Sequence, residues 1–323
     1  LERKDGENRH PVSLEEVFDW LGAGKISSSE AFSYLQEVEK GTVIEPEKNN
    51  QKGLDEAMKE LDSLIGLTEV KKLVKEIHAF VEIQRRRAKE NLVSEPLVLH
   101  MIFKGNPGTG KTTVARILGK IFREMGVLQR GHLIEVERAD LVGEYIGHTA
   151  QKTREQIKKA LGGILFIDEA YSLARGGEKD FGKEAIDTLV KAMEDHRDNL
   201  ILILAGYQQE MDSFIRSNPG LRSRFPIHID FPDYSAEELL QISELMVKKR
   251  QYRFTPEARE LLATTLVQKT LSKESQSGNA RLVRNIIEKS LRRQALRLVS
   301  QERLTREDLM LITQADLKGA LEG

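Results

Sequence analysis

The residues Gly105-Asn106-Pro107-Gly108-Thr109-Gly110-Lys111-Thr112 set two glycines around four residues and follow the second with lysine and threonine. That spacing is the pattern of a phosphate-binding loop. Glycines let the backbone turn its N–H groups inward around a chain of phosphates. Lys111 places a positive charge beside the β- and γ-phosphates, and the Thr112 hydroxyl is a hard oxygen ligand suited to Mg²⁺. A helix running on from Thr113 would point its positive end at the same anion. A plain glycine turn accounts for the glycines. It does not account for a lysine–threonine pair set between an apolar run and an amphipathic stretch. The expectation is a cradle for ATP with Mg²⁺ over Gly105–Thr113.

A second constellation follows at "GGILFIDEA", where Asp168 and Glu169 close four consecutive apolar residues. An aspartate at the end of a strand can hold the water shell of the Mg²⁺ ion. The glutamate beside it is suited to polarising an attacking water. Thr112 and Asp168 are therefore the expected metal-side residues, and Glu169 the expected base.

These groups need rigid elements to hold them. Five apolar runs of β-rich composition stand at residues 97–103, 132–137, 163–168, 200–206 and 227–231, with helical stretches or loops between them. Strands alternating with helices imply a five-stranded parallel sheet covered by helices on both faces. After Pro232 the β-runs stop. Ser235-Ala236-Glu237-Glu238 reads as a capping box, Pro256 stands at the first position of another helix, and about four helices complete the chain. Upstream, residues 1–41 read as a small helical segment, with capping signals at Ser13–Glu16 and Ser27–Glu30. Residues 42–60 read as a polar linker, Thr42–Gly53, and a leading helix; Thr68 is expected to cap the longer helix after it. The expected domains are 1–41, 42–60, an α/β nucleotide-binding core over 61–233 and a helical lid over 234–323.

Composition narrows the function classes. Basic and acidic residues number 50 and 51, so nothing points to a generic polyanion-binding surface. There is no cysteine, which excludes disulfide and thiol chemistry. No apolar run is long enough to span a bilayer, and the start lacks a signal-peptide core, so a cytoplasmic location without membrane insertion is expected. No guanine-reading Asn-Lys-x-Asp is found, which argues against a GTPase.

From about Leu61 onward the chain resembles the AAA+ ATPases. It is most similar to the branch that holds the CbbX-type rubisco activases and the stage V sporulation protein K group. The likeness rests on "LIGLTEVKK", "FKGNPGTGKTTVAR", "ADLVGEYIGHTAQKT", "GGILFIDEAYSL", "ILAGY", "NPGLRSRFPIHIDFPDY" and "GNARLVRN". The resemblance implies an oligomeric ATPase, a hexamer, that remodels a protein substrate in bacterial sporulation. It implies that Ile65 and Gly66 lie on the adenine side and that Arg281 reaches the nucleotide from the lid. It offers Arg222 and Arg224 as arginine fingers supplied to a neighbouring subunit, with Arg224, directly before Phe225-Pro226, favoured. It also shows a departure. Many relatives end the fourth strand on asparagine or threonine to position water, and here Ala205-Gly206-Tyr207 stands there, so that role has no assigned residue.

Tyr145-Ile146-Gly147 looks like the aromatic–hydrophobic–glycine pore loop of protein-threading members. A ring of aromatics can grip an extended chain through apolar contact without reading its sequence. The charged stretch Arg175–Ala185 fits both a second pore loop and a solvated surface loop. A nucleic-acid motor on the same fold is the alternative. The near-zero net charge and Tyr145 favour a protein substrate with no nucleic acid. The basic clusters at 84–89 and 291–297 fit solvated helix faces.

Overall fold

The computed structural model describes residues 48–93, 98–145, 147–175, 181–271 and 278–321, together with Val17, Trp20, Leu21, Ile26, Ser27 and Ala31. The chain divides into two compact units, Leu1–Gly53 and Leu54–Gly323. In the first, Val17 and Ala31 are buried and Trp20 is half-buried. The expected cap at Ser13–Glu16 lies outside the described residues.

Helix α1 (Lys48–Asp62) leads into the second unit, and α2 (Thr68–Lys89) follows it. Residues 48–53, expected in a linker, are helical. Leu54, Ala57 and Leu61 are buried at helical spacing, and a helix nucleated by that stripe extends at little further cost into the polar residues before it. Thr68 is not the cap. Leu67 precedes the helix at φ 56 and makes no side-chain cap, a turn that sends its side chain into the core.

Five strands follow: β1 (Met101–Gly105), β2 (Leu133–Val136), β3 (Gly163–Ile167), β4 (Leu200–Gly206) and β5 (Ile227–Phe231). All pair in parallel, in the order β2-β3-β4-β1-β5. The two-residue period of a strand gives the sheet two cores. Met101, Phe103, Ile164, Phe166, Ile201 and Ile203 face one side, with α2 and α3 (Lys111–Glu124). Ile102, Leu165, Ile167, Leu202 and Leu204 face the other. There they meet α5 (His148–Ala160), α6 (Gly182–Asp195) and α7 (Gln208–Ser217); the one-turn α4 (Arg138–Leu141) precedes these and α8 (Pro219–Arg222) follows. The first strand sits later than the apolar run suggested. Leu99 and His100 are buried ahead of the ladder, and pairing with β5 continues to Gly105 opposite Phe231.

The lid carries α9 (Ala236–Lys249), β6 (Arg253–Phe254), α10 (Pro256–Leu271), α11 (Asn279–Val299), α12 (Arg306–Met310), β7 (Leu311–Ile312) and α13 (Gln314–Leu321). Its core gathers Leu240, Leu262, Leu266, Val283, Ile287, Ile312 and Leu317. Ser235 caps α9 with Glu238 as a full capping box. The lid, expected as about four helices with no strand, has its last helical stretch broken in two. Leu311–Ile312 pair in parallel with Arg253–Phe254, and Thr313 donates from its N–H and hydroxyl to Asp316, which restarts the helix. Among the described residues no helix is long and apolar enough to cross a membrane.

Candidate functional site: a nucleotide cleft between core and lid

The glycine loop leaves β1 at Gly105, φ 155, where a Cβ would overlap the Phe231 carbonyl. Gly108 and Gly110 take φ 76 and 99, a region that suits glycine. Helix α3 starts directly at Lys111. The Lys111 Nζ donates to the Gly105 and Asn106 carbonyls, both at 2.8 Å. Burial pushes its pKa below the ordinary lysine value. The Asp168 charge opposes that, Arg281 adds to it, and Glu169 and Asp233 oppose it in smaller measure. One lysine thus senses the acidic edge, the core–lid junction and the lid.

Asp168 follows β3, its N–H held by the Val136 carbonyl at 3.0 Å. Glu169 donates its N–H to Asp168 Oδ1 at 3.0 Å and takes φ 46, a left-handed conformation uncommon outside glycine. The Thr112 hydroxyl donates to Glu135 Oε1 at 3.4 Å. Thr112, Asp168 and Glu135 bring hard oxygens to the same cleft. Among the described residues no group of three or more His, Cys, Asp or Glu could cage a metal alone. That donor set fits Mg²⁺, which takes one or two protein oxygens and completes its shell with phosphates and water.

The cleft measures about 670 Å³. Gly105, Pro107, Gly108, Gly110, Lys111, Thr112 and Thr113 line it, with Asp168 and Glu169 beyond and Arg281 and Arg284 on the lid side. Ile65 lines it too; Gly66 does not, and its Cα faces Glu238. Two loop residues turn away. Thr109 is fully buried with its hydroxyl on the Asn106 carbonyl, and Asn106 donates its amide to Asp233. Tyr234, at the core–lid junction, donates its hydroxyl to the Thr109 carbonyl at 3.0 Å. Burial, helped by Glu238, pushes that hydroxyl up to about 12, so it stays a donor.

Strand β4 ends at the cleft in Gly206, and Tyr207 lines the cleft directly after it. A Cβ on Gly206 would stand 2.7 Å from the Tyr171 ring, which is buried there beneath the Arg175 guanidinium at 4.6 Å. Among the described lining residues neither Arg222, Arg224, Tyr145 nor Gly147 appears. Arg224 Nε donates to Glu194 at 3.2 Å and Nη1 to the Gly220 carbonyl at 3.0 Å; Arg222 is exposed. Tyr145 is 65% exposed and meets His148 edge-on, 5.5 Å between ring centres. Gly147 opens that turn at φ 85, and Ile146 lies outside the described residues. Sequence reasoning missed Glu135, Asp233, Tyr234 and Asn279. Glu135 left a local signal, an acid at an otherwise apolar strand position, whereas Asp233, Tyr234 and Asn279 stand in stretches that carried the family likeness but had no role attached to them.

The chain matches two family descriptions. One is the ATPase family associated with various cellular activities (AAA), over residues 101–233; the other is the AAA lid domain, over residues 235–323. It is 59% identical over 265 residues to stage V sporulation protein K of Bacillus subtilis (strain 168), covering 82% of this chain and 82% of that protein. It is 47% identical over 269 residues to the plasmid protein CbxX of Cupriavidus necator, covering 82% of this chain and 84% of the relative. It is also 47% identical over 271 residues to the chloroplastic ribulose bisphosphate carboxylase/oxygenase activase of Cyanidioschyzon merolae, covering 83% and 92%. A parallel sheet bearing a phosphate loop and an acidic strand end, closed by a helical lid and matched over both parts, makes this chain a member of the AAA ATPases, an enzyme that hydrolyses ATP.

Proposed function

We propose that the chain assembles into a hexameric ring and uses ATP hydrolysis to remodel a protein substrate through a central pore, in the cytoplasm of a sporulating bacterium. The exposure of Tyr145 carries this reading. An aromatic side chain 65% open to solvent, on a glycine-hinged turn away from the nucleotide, has a surface to offer and no core to fill. The 59% identity to a sporulation protein supports the biological setting over rubisco activation, for which the 47% identical relative of Cyanidioschyzon merolae is named.

In this reading Lys111 and the loop N–H groups hold the phosphates, and Ile65 borders the base, with Gly66 shaping the turn behind it. Mg²⁺, held by Thr112 and Asp168, would neutralise charge on the phosphates. The Glu169 carboxylate takes a proton from the attacking water. Arg281 steadies the nucleotide from the lid. Arg224 of a neighbouring subunit offsets charge at the γ-phosphate, which requires it to leave Glu194. Tyr145, Ile146 and Gly147 form the grip.

Tyr145→Ala tests the reading. Truncating a surface side chain changes stability by about 0.5 kcal/mol or less, so the melting temperature should hold. Loss of an aromatic contact weakens grip by about 1 kcal/mol per subunit, so casein-stimulated ATP turnover should vanish while basal turnover stays within a few-fold. Stimulation by single-stranded DNA, lost in the same variant, would instead support a nucleic-acid motor. Unchanged casein stimulation would sink the pore assignment.

A further inference from the structure

We infer that Asn279 is a positioning residue which, through Asp233, fastens the first turn of α11 to the phosphate loop, so that Arg281 and the loop meet the nucleotide in one fixed geometry. Asn279 is 4% exposed, and every polar group on its side chain is engaged. Its Nδ2 donates to Asp233 Oδ1 at 2.7 Å and to the Pro107 carbonyl at 3.3 Å. Its Oδ1 accepts from the Tyr234 N–H at 3.0 Å. Asp233 is the hub, because its two oxygens also accept from Asn106 Nδ2 at 3.0 and 2.9 Å. One carboxylate therefore ties a loop amide to a lid amide.

The backbone repeats the connection. The Ala280 N–H donates to the Gly108 carbonyl at 3.2 Å. A Cβ on Gly108 would stand 2.6 Å from the Gly278 carbonyl and 3.0 Å from the Arg281 nitrogen, so loop and helix start are in direct contact. Arg281 lies two residues beyond Asn279 and lines the cleft, and its charge reaches Lys111. Any slackening at Asn279 moves the lid arginine and the loop relative to each other. Asn279 also takes φ 38, a left-handed conformation open to glycine, asparagine and aspartate. A residue needed only for that turn would be replaceable by glycine.

The inference rests on the reading of Gly105–Thr113 as the nucleotide cradle. The test is equilibrium titration of the full chain with a fluorescent ATP analogue, with melting curves alongside. Asn279→Gly keeps the turn and removes the amide. It should weaken nucleotide binding by about tenfold, the loss expected for hydrogen bonds to a charged group. In that background Arg281→Ala should cost far less than it does alone, because the arginine has already lost its placement. Asn279→Asp sets two carboxylates together and should be worse. Adding Asp233→Asn restores a donor–acceptor pair with the roles exchanged, and affinity should rise above that of Asn279→Asp alone without reaching the starting value, since the bond to Pro107 and one of the two contacts from Asn106 are still missing. The inference is overturned if Asn279→Gly binds normally, if its loss is additive with Arg281→Ala, or if the exchanged pair recovers nothing. Lys111→Ala separates the two readings: retained affinity there removes the cradle itself, whereas lost affinity there with a normal Asn279→Gly removes only the clasp.

Discussion

Mild acid should loosen the strand that feeds the phosphate loop, and His100 sets by how much. The ring is 3% exposed, tilted against Phe225 at 5.8 Å between centres, and its Nδ1 accepts from the Leu202 N–H at 3.1 Å. Burial lowers its pKa from 6.5 to about 4, against a smaller upward pull from a backbone hydrogen bond at Met193. Between those values the unfolded chain binds a proton at this site and the folded chain does not. Stability contributed by the neutral ring is therefore complete above the unfolded value and declines as pH falls towards the folded one. At 1.36 kcal/mol per unit the full loss is about 3 kcal/mol, with about 2 kcal/mol of it gone by about pH 5. Urea melts from about pH 7 to about 4.5 measure it. Carboxylates titrate in the same range, so the comparison is with His100→Asn, which keeps an acceptor for Leu202 but cannot take up a proton there. That variant should be less stable at neutral pH, because the ring leaves a gap beside Phe225, and its stability should fall less steeply with acid. Parallel slopes for the two proteins would refute the argument.

Three further outcomes bear on the nucleotide site. Lys111→Ala removes the lysine of the phosphate loop and should abolish nucleotide binding; a fluorescent-nucleotide titration near the wild-type affinity would contradict the cradle. Glu169→Gln should bind ATP normally and fail to turn it over, since the carboxamide keeps the shape without the basicity; wild-type phosphate release would move the base elsewhere. Arg224→Ala should bind ATP and hydrolyse it about 10³-fold more slowly, and activity should rise with protein concentration as subunits meet. Mixing Lys111→Ala with Arg224→Ala protein should restore part of the activity, and no recovery in a mixture shown to co-assemble would count against a finger given in trans.

The parts legible in the sequence were those whose chemistry is local. The glycine loop could be read because its turns, its lysine and its helix start fall within nine residues. The sheet could be read because β3 and β4 are buried along their whole lengths and are written as continuous apolar runs. What escaped was contact over distance. Asp233 and Asn279 are 46 positions apart and meet only when the lid folds back on the loop. Asn106 and Thr109 belong to the loop pattern, yet their side chains serve Asp233 and the backbone. The split of the last helix depended on a two-residue pairing with Arg253–Phe254 that carries too little pattern to see. Arg224 shows a different limit: its type and neighbours suggested a role, but not that Glu194 of the same chain would hold it.

The missing side chain at Gly206 has a meaning for anyone who would redesign this site. The exit of β4 is an occupied slot rather than an empty one: Tyr171 fills it from the neighbouring turn, with Arg175 over its face and Tyr207 at 6.2 Å. Installing a water-positioning asparagine at 206 is therefore not one substitution. Made first, it collides with a buried ring. Made second, it follows a truncation of Tyr171 that opens a cavity costing about 3–5 kcal/mol. Each single step is worse than either end state, so the glycine and the tyrosine hold one another in place. Variation at one is expected only in company with the other.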